Sequence, residues 1–425
     1  MPVVEPNCRR IDIACVAIVL AIGIFLRLPH TVFSGDASPL HRIEFLHPKP
    51  KIEGLGADEG YYRLYVNDLS RVGIASYSKI VDHYIEIQKG LTGSILPPVR
   101  FLFIFAAYLW HLVFGAEALS ALRNVASFFS ILTLILSGVF AWRLKGIGCA
   151  LGVMALMSCA PTQIHMSQHA LVDGFFTFWA LLCLWLLWEN LQKPRRSSWL
   201  IAYSLSLSLL VLTKENSFFV FVAIVAIVAV NRWLHFGTVT RELLVCTVVG
   251  PLLGVVVLVF LAGGIDVLIT TYRLSVSKNY NLTYAILTGD GPWYRYLVDL
   301  LLVSPVILLL AFGTIFRLNL SKKPEIYLTV FIAASYLIMC NIKYGMNLRY
   351  ANMWDMPLRV LAFTQIAALT AFSRYRNWLT VAAIAALCAI ELRQYYILFV
   401  QSEMYELVTP LLMRSLHILK YPGGN

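Results

Sequence analysis

Two adjacent carboxylates, Asp58 and Glu59, stand in the stretch "GLGADEGYYRLY" (Gly54 to Tyr65), in a chain of 425 residues of which only 13% are charged. Tyr61, Tyr62 and Tyr65 follow them. A carboxylate is a group that can take up a proton, and it can equally serve a helix end. The periodicity predicts an amphipathic helix from Asp58 to Val72, with Tyr62, Tyr65, Leu69 and Val72 on one face and Gly73 ending it. On that local reading Asp58 caps the helix, Glu59 complements the positive end of its dipole, and the tyrosines anchor at a lipid interface. Two other places hold residue types capable of chemistry. His165, His169 and Asp173 are spaced by four, which on an unbroken helix would give one metal-binding face, but a turn between two spans interrupts it. Lys214, with Glu215, interrupts the apolar run from Trp199 to Val230. A cation at membrane depth is a functional suspect, and a turn marker between spans is the alternative.

The elements that must position these residues are apolar helices. Hydrophobic residues make up 59% of the chain and the mean hydropathy is +0.73, beyond what a soluble globular surface tolerates. Runs of bilayer-crossing length, roughly 17–25 residues, occur near 11–28, 99–114, 121–142, 147–164, 171–188, 199–213, 216–231, 243–262, 297–316, 326–341, 356–373 and 378–397. Cytoplasmic loops retain Lys and Arg. The clusters Arg9–Arg10, Arg143 and Lys145, Lys193 with Arg195 and Arg196, Arg232 and Arg241, Arg317 with Lys322 and Lys323, and Arg374 with Arg376 share one side only if 99–114 does not cross. The expectation is therefore an all-α polytopic membrane protein of about eleven transmembrane helices with a cytoplasmic amino terminus. "PPVRFLFIFAAYLWHLVFG" then lies at or dips into the outer face, its Pro97–Pro98 pair suiting a helix opening. The first external loop, about 29–120, is large and holds surface helices; smaller ones follow at 263–296 and 342–355. A module spanning 1–397 precedes a short external amphipathic tail, 398–425.

The formal charge of +11 follows from this topology and from attraction to anionic lipid, and implies no nucleic-acid partner. The span 13–28 after Arg9–Arg10, with "VFSG" beyond it, imitates a signal peptide; a retained first span is the reading adopted. Seven of the eight cysteines lie in or at the ends of spans and Cys8 is cytoplasmic, so no disulfide is expected.

An acidic pair followed by Tyr after the first span, a proline pair opening a surface helix that ends in "FG", and an Arg starting the second span resemble the protein O-mannosyltransferase-like group of integral-membrane glycosyltransferases. That group has the GT-C fold and includes the lipid A aminoarabinose transferases. The matching pieces are "ADEGYY", "PPVRFLFIFAAYLWHLVFG", Arg123, "RLKG" at Arg143 to Gly146, "HALVDGFFTF" around Asp173, "LTKEN" around Lys214, and "LRYANMWDMP" with Arg349 and Tyr350, in order over most of the chain. The resemblance implies transfer of a hexosyl or pentosyl unit from a polyprenyl-phosphate donor to a hydroxyl of a glycan, lipid or protein acceptor, with inversion. It implies a multi-pass protein of the bacterial cytoplasmic membrane, with its site facing the periplasm or exterior.

In that setting Asp58 is the general base and Glu59 an orienting partner. Lys214, Arg349, Tyr350 and, more weakly, Arg295 are the candidates for the donor phosphate, with Arg273 and Lys278 behind them. Tyr61, Tyr62, Asp173 and His169 belong to the pocket. Local alternatives stay open: an interfacial anchor for Arg349, a helix-start carboxylate for Asp173. No cofactor is expected, a divalent metal at His165, His169 and Asp173 being the minor option. The chain departs from the group's pattern at Gln168, where many members have a basic residue, and at Ile95–Leu96 before the proline pair; both bear on the donor sugar. Tyr272, Tyr280, Tyr284, Trp293, Tyr294, Tyr344, Tyr350 and Trp354 either stack on sugar rings or form an interfacial belt. Two other classes compete. A flippase or transporter of lipid-linked sugars should show paired halves with helices broken near the midplane, and a non-catalytic scaffold has no reason to hold Lys214 and Asp173 where this group does.

Overall fold

The computed structural model describes residues 6–29, 32, 47, 58–343 and 345–419, without the side chains of 6–12 and 287. Phe33–Gly35, Gly54–Ala57, Tyr344, the tail beyond 419 and the side chains of Cys8, Arg9 and Arg10 lie outside the described residues. Among the described residues every regular element is helical. In chain order these are α1 (Pro6–Arg27), α2 (Asp58–Val72), α3 (Tyr77–Gly90), α4 (Phe101–Phe114), α5 (Ala118–Lys145), α6 (Ile147–Ser158), α7 (Pro161–Gln168), α8 (Val172–Gln192), α9 (Ser197–Val211) and α10 (Ser217–Leu234). There follow α11 (Arg241–Ala262), α12 (Ile265–Asn279), α13 (Thr283–Gly289), α14 (Arg295–Val303), α15 (Pro305–Ile315), α16 (Lys323–Met339), α17 (Asp355–Thr370), α18 (Arg376–Tyr395) and α19 (Thr409–Ser415). A 3-10 segment, Leu348–Trp354, leads into α17, and a π-helical turn, Tyr396–Gln401, extends α18.

Each of the eleven expected crossings coincides with a helix or a broken pair. Among the described residues, length and composition alone qualify five: α5, α8, α10, α11 and α18 with its π turn. The pair α6–α7, bent by 56°, makes a sixth. Pro305 breaks α14 from α15, α9 stops at Val211 before the Lys214 turn, α16 and α17 are 17 and 16 residues long, and the side chains of α1 are described only from Ile13. The break between α6 and α7 leaves carbonyls without helical partners, which inside a membrane must be met internally. Arg27 donates to Met157 O at 2.7 Å and Ser158 O at 3.1 Å, and Arg359 donates to Leu156 O at 3.1 Å. Arg359 is itself neutralised by Asp355 and Glu391, both at 2.7 Å.

Helix alternation puts the ends of α5 and α8 and the start of α16 on one face, and ion pairs join them there. Arg143 holds Glu189 at 2.5 and 2.7 Å, and Lys145 pairs with Glu325. Close approach of α9 and α11 depends on two glycines four apart, the small-residue spacing of membrane helix pairs. A Cβ at Gly250 or Gly254 would lie 2.8 Å or 2.5 Å from the carbonyl oxygens of Ser204 and Ser208. The orientation carries a simple expectation: an accessibility tag after Gly115 should report the external side and one after Gly146 the cytoplasm. A tag after Gly115 protected in intact cells contradicts it.

The first external loop packs as α2, α3 and α4. The buried face of α2 is Glu59, Tyr62, Tyr65, Val66 and Leu69, while Val72 is 40% exposed at the helix end, one turn off the predicted face. Gly73, at φ 75°, ends the helix with its N–H on Leu69 O at 2.9 Å. Helix α4 starts at Phe101, later than the proline pair, because Pro98 O is held by the Tyr77 hydroxyl at 2.5 Å and Leu102 N–H bonds Leu212 O at 2.9 Å. Its far end, with Leu112, Val113 and Phe114 exposed, presents an apolar surface. Residues 398–419 differ from the expected surface tail: Leu407, Val408 and Leu412 are buried, and Leu348 N–H bonds Leu407 O at 3.2 Å.

Candidate active site

The expected external ends of the helices meet around a cavity of about 1360 Å³. Asp58, at the start of α2, is on its wall with 28% of its side chain exposed. Arg349, delivered by the 3-10 segment 291 residues away, donates from Nη2 to Asp58 Oδ2 at 2.8 Å. Behind Arg349 lies Asp173, in the first turn of α8, with Oδ2 3.7 Å from Nε. Lys214 holds the other oxygen of Asp173 at 2.6 Å, and its ammonium sits 3.9 Å from the centre of the Tyr350 ring. The structure therefore joins four of the sequence candidates, Asp58, Arg349, Asp173 and Lys214, in one chain of charges.

Their surroundings differ. Burial pushes the Asp58 carboxyl up, but Arg349, Arg100 and Lys214 together hold it below its usual value. Burial is the largest influence on Lys214 and lowers it to about 8 against the opposing pull of Asp173. Asp58, Tyr61, Arg349 and Tyr350 line the cavity, whereas Lys214 and Asp173 are enclosed beneath it. Glu59 points the other way. It is 2% exposed, accepts from Arg123 Nη2 at 3.2 Å, and lies 2.9 Å from His169 Nδ1. Its carboxyl, raised by burial, is brought below its usual value by His169 and Arg123.

Other candidates stand apart. Tyr62 is fully buried and its hydroxyl accepts from Arg100 Nη1 at 2.9 Å. Arg295 spends its terminal nitrogens on the carbonyls of Asp290 and Thr288, which folds the loop before α14, and it is not on the cavity wall. Gln168, where the resemblance would have a basic residue, bonds Leu26 O at 3.0 Å and the Tyr395 hydroxyl at 2.9 Å. Tyr272, Tyr280, Tyr284 and Tyr350 line the cavity; Trp293 and Tyr294 are exposed, and Trp354 is buried with Nε1 on Ser335 at 2.8 Å. For a metal, His169 and Asp173 already face Glu59 and Lys214, and His165 Nε2 lies 2.9 Å from Tyr405 O. Among the described residues no three His, Cys, Asp or Glu side chains are grouped as a metal site.

Sequence reasoning missed two wall residues. Arg100 pairs with Glu215, and the pairing brings that carboxyl, against the upward push of burial, to about 2. The signal was available, since Arg100 stands at the edge of an apolar run as Lys214 does. Glu406, in the tail, lies 3.4 Å from Arg349 Nη1 and accepts from Asn347 Nδ2 at 2.5 Å. No local pattern marks it.

The Lys214–Asp173 pair, with side chains 1% and 3% exposed, gives a direct expectation. Lys214→Met strands a buried carboxylate and should cost about 3–5 kcal/mol of stability. The Lys214→Met/Asp173→Asn double variant should recover most of the lost melting temperature in detergent. Additive losses would mean the two do not act as a pair.

Residues 97–276 match the family model described as dolichyl-phosphate-mannose-protein mannosyltransferase. No curated protein matches the chain significantly. Among solved structures the chain is similar to ArnT from Cupriavidus metallidurans in the apo state, at 13% identity over 96% of this chain and 75% of that one, with a TM-score of 0.52. The same protein bound to undecaprenyl phosphate aligns at 15% identity over 97% of this chain and 78% of that one, with a TM-score of 0.52. The apo oligosaccharyltransferase of Archaeoglobus fulgidus aligns at 13% identity over 94% of this chain but only 56% of its own, with a TM-score of 0.60. Likeness at such identities establishes architecture. The chain is thus a multi-pass membrane protein with the GT-C fold, whose residues 97–276 match the dolichyl-phosphate-mannose-protein mannosyltransferase family.

Proposed function

We propose that the protein transfers a sugar from a polyprenyl-phosphate donor to an acceptor hydroxyl at its outer face, with Asp58 as general base. The observation that carries this reading is the meeting of Asp58 and Arg349 at 2.8 Å on the wall of a large cavity. A hydroxyl attacking the anomeric carbon must lose its proton, and a carboxylate within hydrogen-bond reach accepts it. As the new C1–O bond forms, the bond from C1 to the phosphate oxygen breaks and its electron pair stays on the phosphate. A fixed guanidinium there stabilises that charge. Displacement from the face opposite the leaving group inverts the anomeric centre. The solved relative with undecaprenyl phosphate bound, and the mannosyltransferase match over 97–276, favour a lipid-linked donor.

Lys214 and Asp173 set the position of Arg349 and Tyr350 from beneath, and Glu59, with Arg123 and His169, fixes the start of α2. Tyr61 and the cavity tyrosines are suited to stack on a sugar ring. The same reading puts this multi-pass protein in a bacterial cytoplasmic membrane, with the cavity open to the periplasm or exterior. Titration of the purified chain with undecaprenyl phosphate tests the donor half of this reading. Saturable binding, weakened roughly 10- to 100-fold in Arg349→Met, is expected; absence of binding in the unmodified chain contradicts it.

A further inference from the structure

Arg349 is shared among three carboxylates. Asp58 is at 2.8 Å, Glu406 at 3.4 Å and Asp173 at 3.7 Å. Asp173 has its own cation in Lys214, at 2.6 Å. Among the described residues paired at the floor, Asp58, Asp173, Glu215 and Glu406 face Arg100, Lys214 and Arg349, so no cation is in surplus there; Lys343, Arg414 and Glu403 line the same cavity away from these pairs. A donor phosphate that pairs with Arg349 takes it from a carboxylate. Asp58, with 28% of its side chain exposed against 12% for Glu406 and 3% for Asp173, is the partner most readily displaced. Arg349 Nε and Nη1 are enclosed and carry no hydrogen bond, so of the three carboxylates Asp58 is the one hydrogen-bonded to the guanidinium, through Nη2.

We propose that Glu406 is a positioning residue that holds Arg349 at the cavity floor while the guanidinium passes from Asp58 to the donor phosphate. The proposal rests on the donor reading above. Glu406 is well placed to stay behind. Its Oε2 accepts from Asn347 Nδ2 at 2.5 Å, and Asn347 Oδ1 accepts the Arg349 N–H at 3.0 Å. The neighbouring backbone is tied as well, by Leu348 N–H on Leu407 O at 3.2 Å, and Leu407 and Val408 anchor the strap in the core. The carboxylate is therefore fixed to the segment that carries Arg349, so the guanidinium can turn toward phosphate without leaving the floor. As Arg349 turns away, Asp58 loses the cation that suppresses its basicity, and donor binding itself readies the base.

The test uses the full chain in detergent, titrated with undecaprenyl phosphate and assayed for transfer over a range of donor concentrations. Glu406→Gln should weaken undecaprenyl phosphate binding and raise the donor KM about tenfold, the effect of losing the ion pair that positions Arg349. The kcat at saturating donor should stay within about twofold of the unmodified chain, and Glu406→Asp should recover most of the binding, because charge and not strap shape is what acts. Asn347→Ala, which loosens Glu406 without removing its charge, should raise KM in the same direction by a smaller factor. It decides the question if Glu406→Gln does not accumulate. Unchanged binding and KM in the variants overturn the proposal, as does a fall in kcat at unchanged KM or a failure of Glu406→Asp to recover. If the unmodified chain itself fails to bind undecaprenyl phosphate, the donor reading falls and this role with it; binding that ignores Glu406 sinks the role alone.

Discussion

Asp58→Asn is expected to slow transfer by about 10²-fold or more with the fold intact. Asn tolerates a helix start about as well as Asp, and its carbonyl can still accept from Arg349, so the wall keeps its shape. What it loses is the capacity to take a proton. The loss should appear in kcat. Asp58 is the partner that Arg349 gives up to the phosphate, so neutralising it takes nothing from donor binding and the donor KM should not rise. Glu59→Gln is the contrasting variant. Glu59 is enclosed with Arg123 and His169, so its neutralisation leaves a buried guanidinium unpaired and should reduce thermal stability, with kcat of the surviving folded protein nearly unchanged. Both must be compared on purified, correctly inserted protein. If Asp58→Asn turns over at the unmodified rate, the base lies elsewhere and Asp173 is the next candidate.

The second large effect is in the pH profile. In the free protein Asp58 is held below its usual value by Arg349, Arg100 and Lys214 despite burial, so it stays ionised into acid. The acid limb of kcat/KM, which reports the free enzyme, should therefore fall below the ordinary carboxylate range. In the donor complex Arg349 serves the phosphate, the Asp58 carboxyl rises, and the acid limb of kcat should lie at higher pH. Arg349→Met should raise the donor KM roughly 10- to 100-fold and bring the two limbs together by lifting that of kcat/KM. At the alkaline end Lys214, lowered by burial to about 8, gives up its proton as the pH rises through that value. Asp173 then loses its cation and Arg349 its support, so activity should decline above about pH 8. Coincident acid limbs in the unmodified protein, or limbs that ignore Arg349→Met, contradict the exchange.

The legible part of the fold was what periodicity and charge record locally. Apolar runs placed a helix at every expected crossing, and the run at 99–114, set apart from them, forms α4, which packs on α2 and α5. Gly73 marked the end of α2 because a left-handed residue is needed there. Lys214 could be singled out as a charge interrupting an apolar run, and Asp58, Asp173 and Arg349 by the pieces that carry the family resemblance. Their mutual contacts could not, since the Asp58–Arg349 and Lys214–Asp173 pairs join residues 291 and 41 positions apart. Glu406 and the burial of Met404, Leu407 and Val408 around it left no trace, because a short strap between a π turn and α19 has no periodicity. Helix length misled in the opposite sense: α9 is shortened by the Lys214 turn and α15 by Pro305, features of position that a hydropathy window averages away.

The most direct measurement follows a labelled sugar in proteoliposomes containing the purified chain and undecaprenyl-phosphate-linked sugar donors. The account requires the label to leave the lipid fraction for an acceptor hydroxyl, one undecaprenyl phosphate to be released for each sugar moved, and the new glycosidic bond to have the anomeric configuration opposite to that of the donor. A label that stays lipid-linked while crossing from one leaflet to the other, at a rate that depends on the protein, would instead make the chain a flippase and leave Asp58 with no proton to take.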